Sequence, residues 1–114
     1  MLRKLKNLEK INEIDNLDVY ILSLARSFII VEEKKQWLKK YAPFIREENY
    51  ILLNKENGDY NAENREFIKS IKMMEKLNEY DYVILLDDDH KILKRTLNEI
   101  GKNGEVFHVS SATM

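Results

Sequence analysis

Apolar residues fall along this chain in two alternating rhythms. Four short apolar runs are bounded by polar residues: Val19-Tyr20-Ile21-Leu22, Tyr50-Ile51-Leu52-Leu53, Tyr82-Val83-Ile84-Leu85-Leu86 and Val106-Phe107-His108-Val109. Runs of this length, rich in β-branched and aromatic residues, predict buried strands. Between them the apolar positions recur at helical spacing. Ile30, Trp37, Leu38 and Tyr41 predict the inner face of a helix over residues 28–41. Glu32, Glu33, Lys34, Lys35, Lys39 and Lys40 are read as its solvated side. Phe67, Ile71, Met74 and Leu77 predict a second helical face, and Leu93, Leu97 and Ile100 a third. The segment over residues 2–14 also reads as helical. Its Leu2, Leu5, Leu8, Ile11 and Ile14 recur every three residues, so the apolar stripe wraps around the axis.

The punctuation agrees with that parsing. Pro43 stops the first of these helices, because the residue before a proline is pushed out of the α region. Asn57-Gly58 predicts a turn, Asn61 or Asn64 a helix cap, Asp88 or Asp89 another, and Gly101 a helix end. His108 is expected in a strand, partly buried, and residues 110–114 as a frayed tail. Strands alternating with helices at about thirty-residue intervals predict right-handed βαβ units. The expected fold is α/β: a single three-layer, Rossmann-like domain spanning residues 1–114. Its mostly parallel sheet has about four strands, with helices on both faces.

Composition narrows the function classes. The 114 residues carry 19 basic and 20 acidic side chains, a net charge of −1, which gives no long-range pull toward nucleic acid or an anionic membrane. Cysteine is absent, which removes disulfides, thiolate zinc sites and a thiol nucleophile. No apolar stretch is long enough to span a bilayer and no signal-peptide pattern follows Met1, so the expectation is a cytoplasmic protein.

The chemistry gathers at the end of the third apolar run, where Leu86 is followed by Asp87-Asp88-Asp89-His90. Carboxylates beyond the carboxyl end of a parallel strand lie where open α/β sheets bind ligands, and their oxygens suit Mg²⁺. A cation would also relieve the mutual repulsion of adjacent carboxylates.

Three features in order resemble the haloacid dehalogenase superfamily of phosphohydrolases, in particular its small nucleotidase-like members. They are a strand ending in Ile21-Leu22-Ser23, a charged amphipathic helix, and the later strand ending in Leu86-Asp87-Asp88. The resemblance implies that Ser23 binds phosphate, that Lys55 or Lys69 also contacts it, and that Asp87 and Asp88 help to hold Mg²⁺. One departure bears on activity. The family's nucleophile lies in an Asp-x-Asp-x-Thr/Val motif on a central first strand, and no such strand precedes Ser23. Asp87-Asp88-Asp89-His90-Lys91 contains Asp-x-Asp, but Lys91 stands where the family has Thr or Val.

The expectation is therefore a domain of this type that begins after its catalytic strand and is inactive on its own. Because the missing strand would lie between those ending at Ser23 and Asp87, these two should pair directly or leave a gap for another element or chain. Exposed sheet edges and the wrapped stripe of residues 2–14 predict a homodimer or a protein partner. A different reading is a non-enzymatic interaction protein of the kind phages and mobile elements use. A third is a fragment of a nucleotide-sugar glycosyltransferase, whose metal-binding Asp-x-Asp also ends a strand.

Overall fold

The computed structural model describes residues 9–10, 17–87 and 89–108. The protein is α/β and falls into two compact units, residues 1–60 and 61–113. All four expected strands form, and each makes a parallel pair. Hydrogen bonding joins them two by two, β1 with β2 and β3 with β4, in place of one four-stranded ladder. The strands carrying Ser23 and Asp87 thus pair with their neighbours in sequence, not with each other.

In the first unit β1 spans Ile21–Ala25, α1 Phe28–Tyr41 and β2 Tyr50–Asn54. The register sets Ile21 beside Tyr50 and Ala25 beside Asn54. Ser27 starts α1 in extended backbone conformation, and its hydroxyl accepts from the Ile30 amide. Ala42, just before Pro43, ends the helix and returns its amide to the Leu38 carbonyl. Leu38, Ala42 and Ile45 form the core, with Val19, Ile21, Phe44 and Tyr50 packed against it. Trp37 and Tyr41, expected on the inner face of α1, are instead 36% and 38% exposed and lie tilted against each other with centroids 5.1 Å apart. The helix reaches the sheet through Leu38, a row away from the two rings.

In the second unit α2 spans Ile68–Lys76, β3 Val83–Asp87, α3 His90–Ile100 and β4 Gly104–His108. Asn61 and Asn64 build turns ahead of α2: the Glu63 and Asn64 amides donate to the Asn61 side chain, and the Asn61 amide to that of Asn64. The regular helix therefore begins only at Ile68. Its buried side chains are Ile68, Ser70 and Met73, while Ile71 and Met74 are exposed. On α3 the buried set is Ile92, Leu93, Thr96 and Ile100, and Leu97 is exposed. Two small residues, Ser70 and Thr96, are as enclosed as Ile100, which a reading weighted toward large apolar residues passes over. Asp89 caps α3 through its carboxylate, which accepts from the Lys91 and Ile92 amides. Gly101 ends it at φ 57°, a backbone angle that favours glycine.

Along β3 burial alternates: Val83, Leu85 and Asp87 are buried, Ile84 and Leu86 exposed. The second unit's helices thus cover one face of the β3–β4 pair. Asp88 and residues 109–114 lie outside the described residues, as do residues 2–8 and 11–14 of the expected N-terminal helix. Of that segment Glu9 and Lys10 are helical and exposed. Among the described residues, no helix is long and apolar enough to cross a membrane.

Candidate functional site

The end of β3 carries an enclosed charged pair. Asp87 is the strand's last residue and faces the covered side with Val83 and Leu85. Lys69, the second residue of α2, brings its Nζ to 2.5 Å from Asp87 Oδ2. The side chains are only 12% and 6% exposed, so the two charges meet largely out of water. The other carboxylate oxygen accepts from the Asp89 amide at 3.0 Å, tying the strand end to the cap of α3. Lys69 and Asp87, both singled out in the sequence, are therefore partners. Asp88, the second expected metal ligand, lies outside the described residues.

Two imidazoles lie at the neighbouring edge. His90, the first residue of α3, stacks on His108, the last of β4, with centroids 3.9 Å apart and planes 4° from parallel. His108 is the ladder partner of Asp87 and is exposed, not partly buried as its strand position suggested. Among the described residues, no three carboxylates or imidazoles converge as a metal site.

In the first unit Ser23 lies at the middle of β1, two residues before its end. The strand continues through Leu24 and Ala25 because Ala25 pairs with Asn54 and its carbonyl accepts from the Lys55 amide. The side chain that reaches Ser23 is neither Lys55 nor Lys69 but Lys34, whose Nζ is 2.6 Å from Ser23 Oγ and 2.6 Å from the Leu24 carbonyl oxygen. Lys55 is exposed in the turn after β2. Lys34 stands in a charged run whose composition points to solvent, yet it is half-buried. The signal was its place in the row Ile30, Lys34, Leu38, four residues apart on one helix face.

The loop after β2 is held from within. Asp59 accepts from the Asn54 amide at 2.8 Å and from the Asn57 side chain at 3.1 Å, with Gly58 at φ 84° between them. The Tyr60 hydroxyl donates to the Ala25 carbonyl at 3.1 Å, and the Phe28 amide at the start of α1 donates to Glu56 at 3.4 Å. This loop locks the carboxyl ends of β1 and β2 together.

No family model matches the chain, and no significant match to it exists among the curated proteins or the solved structures.

Proposed function

We propose that the chain is a phosphohydrolase-related domain of the haloacid dehalogenase type that does not turn over substrate by itself. The observation that supports this most is the enclosed Lys69–Asp87 pair at the carboxyl end of a parallel strand. That is where α/β proteins place ligands, and where the resemblance puts an acidic group beside a lysine. Asp87 has the right donor chemistry for a hard cation, since a carboxylate oxygen is the ligand Mg²⁺ takes. Its charge is already offset by Lys69, so Mg²⁺ binds weakly. In the first unit, Ser23 offers a hydroxyl for phosphate. The inactive reading rests on the sequence, where Lys91 stands in the Thr/Val place of the family's Asp-x-Asp-x-Thr/Val motif, and positioning groups alone do not replace a nucleophile.

Calorimetry with Mg²⁺, and Mn²⁺ line broadening, on wild type and Asp87→Asn test the metal half. Weak binding that drops further in the variant is the expected outcome. Equal behaviour of the two proteins reduces Asp87 to a structural partner of Lys69. No appreciable hydrolysis of aryl phosphates or nucleoside monophosphates is expected with Mg²⁺ present. Robust turnover that disappears in Asp87→Asn overturns the inactive reading.

A second reading, an interaction protein built on the same α/β elements, is favoured by a different observation. Tyr82, Ile84, Leu86 and Phe107 are all about half exposed on or beside one face of the β3–β4 pair. Parallel strands are ordinarily covered on both faces.

A further inference from the structure

We propose that the amino terminus of α1, at the carboxyl ends of β1 and β2, binds the carboxylate group of a ligand, and that the Glu56 side chain holds the place of that group. Neither Ser23 nor Asp87 takes part, so the site goes beyond the phosphohydrolase-related reading.

Asn54 supplies the first observation. It is the last residue of β2 and only 3% exposed. Its Oδ1 accepts from the Glu56 amide at 2.9 Å, which fixes which end of the side-chain amide is oxygen. The Nδ2 group has no hydrogen-bond partner. A buried donor without an acceptor is costly and rare, so this one calls for a reason. The register tells where it points. Ile21 and Tyr50 are ladder partners, and both pack against the core to which α1 contributes Leu38. Side chains alternate along a strand, so the partners Ser23 and Leu52, and then Ala25 and Asn54, share that face. The bond from Lys34 of α1 to Ser23 agrees with this placement. Asn54 is thus directed to the α1 side, at the end where α1 begins, for the cap Ser27 follows two residues after Ala25.

The helix supplies the second observation. The first amides of an α-helix have no partner within it and carry the positive end of its dipole. In α1 the Ile30 amide goes to the Ser27 hydroxyl. The Phe28 amide donates to Glu56 Oε2, at 3.4 Å. A carboxylate from the loop after β2 therefore already sits where a helix start attracts anions. It fits poorly: its bond is long, and Asn54 Nδ2 stays unpaired. A ligand's carboxylate is not tethered to the loop and has two oxygens to give, one to the Phe28 and Ile29 amides and one to Asn54 Nδ2. Glu56 is exposed, so its side chain swings into solvent without losing packing. Arg26 and Lys55, both exposed and next in sequence to Ala25 and Asn54, add positive charge beside the site. Two oxygens match these donors, whereas a phosphate brings more oxygens than they serve.

The test titrates the isotopically labelled full chain with acetate at constant ionic strength and follows its amide resonances. Saturable shifts of the Phe28 and Ile29 amides and of the Asn54 side-chain amide are expected. Glu56→Ala removes the internal carboxylate and is expected to tighten acetate binding about threefold. Asn54→Asp keeps an acceptor for the Glu56 amide but replaces the donor by a negative charge, and is expected to abolish binding. Inorganic phosphate is expected to bind more weakly than acetate. A tripeptide with a blocked amino terminus and a free carboxyl end presents the same group, and the tighter of the two carboxylates tells whether a small acid or a chain end is the natural source. The proposal is overturned if acetate moves none of these resonances, if Glu56→Ala binds it no more tightly than wild type, or if phosphate binds more tightly than acetate. Should Asn54→Asp not fold, the Asn54 side-chain resonance of Glu56→Ala decides its part: failure to shift along with the Phe28 amide overturns the site as drawn. None of these readouts depends on Mg²⁺ or on hydrolysis.

Discussion

Lys69 and Asp87 show how much can rest on one pair of side chains. Each charge lost most of its water on folding, and their mutual attraction together with the Asp89 amide offsets that loss. Removing one partner is then far worse than removing both. Lys69→Met leaves the carboxylate enclosed without its counter-charge and is expected to cost about 3–5 kcal/mol in urea unfolding. Lys69→Met combined with Asp87→Leu is expected to recover most of the loss, because an apolar pair needs no solvation. A single variant that unfolds like wild type would show that water reaches the pair freely.

Among the elements, the β3–β4 pair depends on a residue with no side chain. Gly104 lies opposite Val83, and a Cβ there would stand 2.5 Å from the Val83 carbonyl oxygen and 2.7 Å from Ile100 Cδ1. The first contact is with backbone and cannot yield by a rotamer change. Gly104→Ala is expected to destabilise the protein by about 1–3 kcal/mol, with the loss of amide protection concentrated in β3 and β4. In the first unit the end of α1 is tied to the turn before β2 by Lys39 and Glu47, 3.0 Å apart. The Lys39 hydrogen bond, and then its charge, hold the Glu47 carboxyl below its ordinary 4.5; the same contact raises Lys39 above its ordinary 10.5. A lowered acid contributes stability that is complete above 4.5 and is lost as pH falls through its folded value. The raised lysine contributes stability that is complete below 10.5 and is lost as pH rises through its folded value. Glu47→Gln is therefore expected to flatten both limbs of the urea midpoint against pH. The effect is small and fades with added salt, because both side chains are about half exposed.

At the scale of the whole molecule, large apolar side chains remain in contact with solvent. Phe28, Ile29, Trp37 and Tyr41 are exposed on α1 in the first unit, and Tyr82, Ile84, Leu86 and Phe107 in the second. Scattered apolar residues are ordinary, but clustered ones mark surfaces that meet something else. Two-stranded sheets also leave edges that favour pairing with another chain. Light scattering is expected to give a mass above that of one chain at high concentration, with Leu86→Lys shifting it back toward the monomer. A chain that stays monomeric at every accessible concentration would leave the exposed face to a different partner protein.

What the order of residues determined by itself is local. Apolar runs of four or five residues, the proline after Ala42, the glycine after Asn57 and the aspartate before His90 each act within a few positions. From them the four strands, the helix Phe28–Tyr41, the Gly58 turn and a cap at Asp88 or Asp89 were legible. The parallel direction was legible as well, because a helix between two strands carries the chain back to the same end. Leu38, Leu93 and Ile100 were legible as inner positions, but tertiary structure decided the rest of each buried face. Packing buried Ser70 and Thr96 as fully as Ile100 and left Trp37, Tyr41 and Leu97 partly in solvent. It also decided which charges meet. Lys69 and Asp87 are 18 residues apart, and Lys34 and Ser23 are 11 apart. The row Ile30, Lys34, Leu38 marks Lys34 as facing inward, but nothing within a few positions of either lysine names the oxygen it meets. Their contacts exist only because parallel pairing sets a strand against the helix that follows or precedes it, which fixes which long side chain can reach which oxygen.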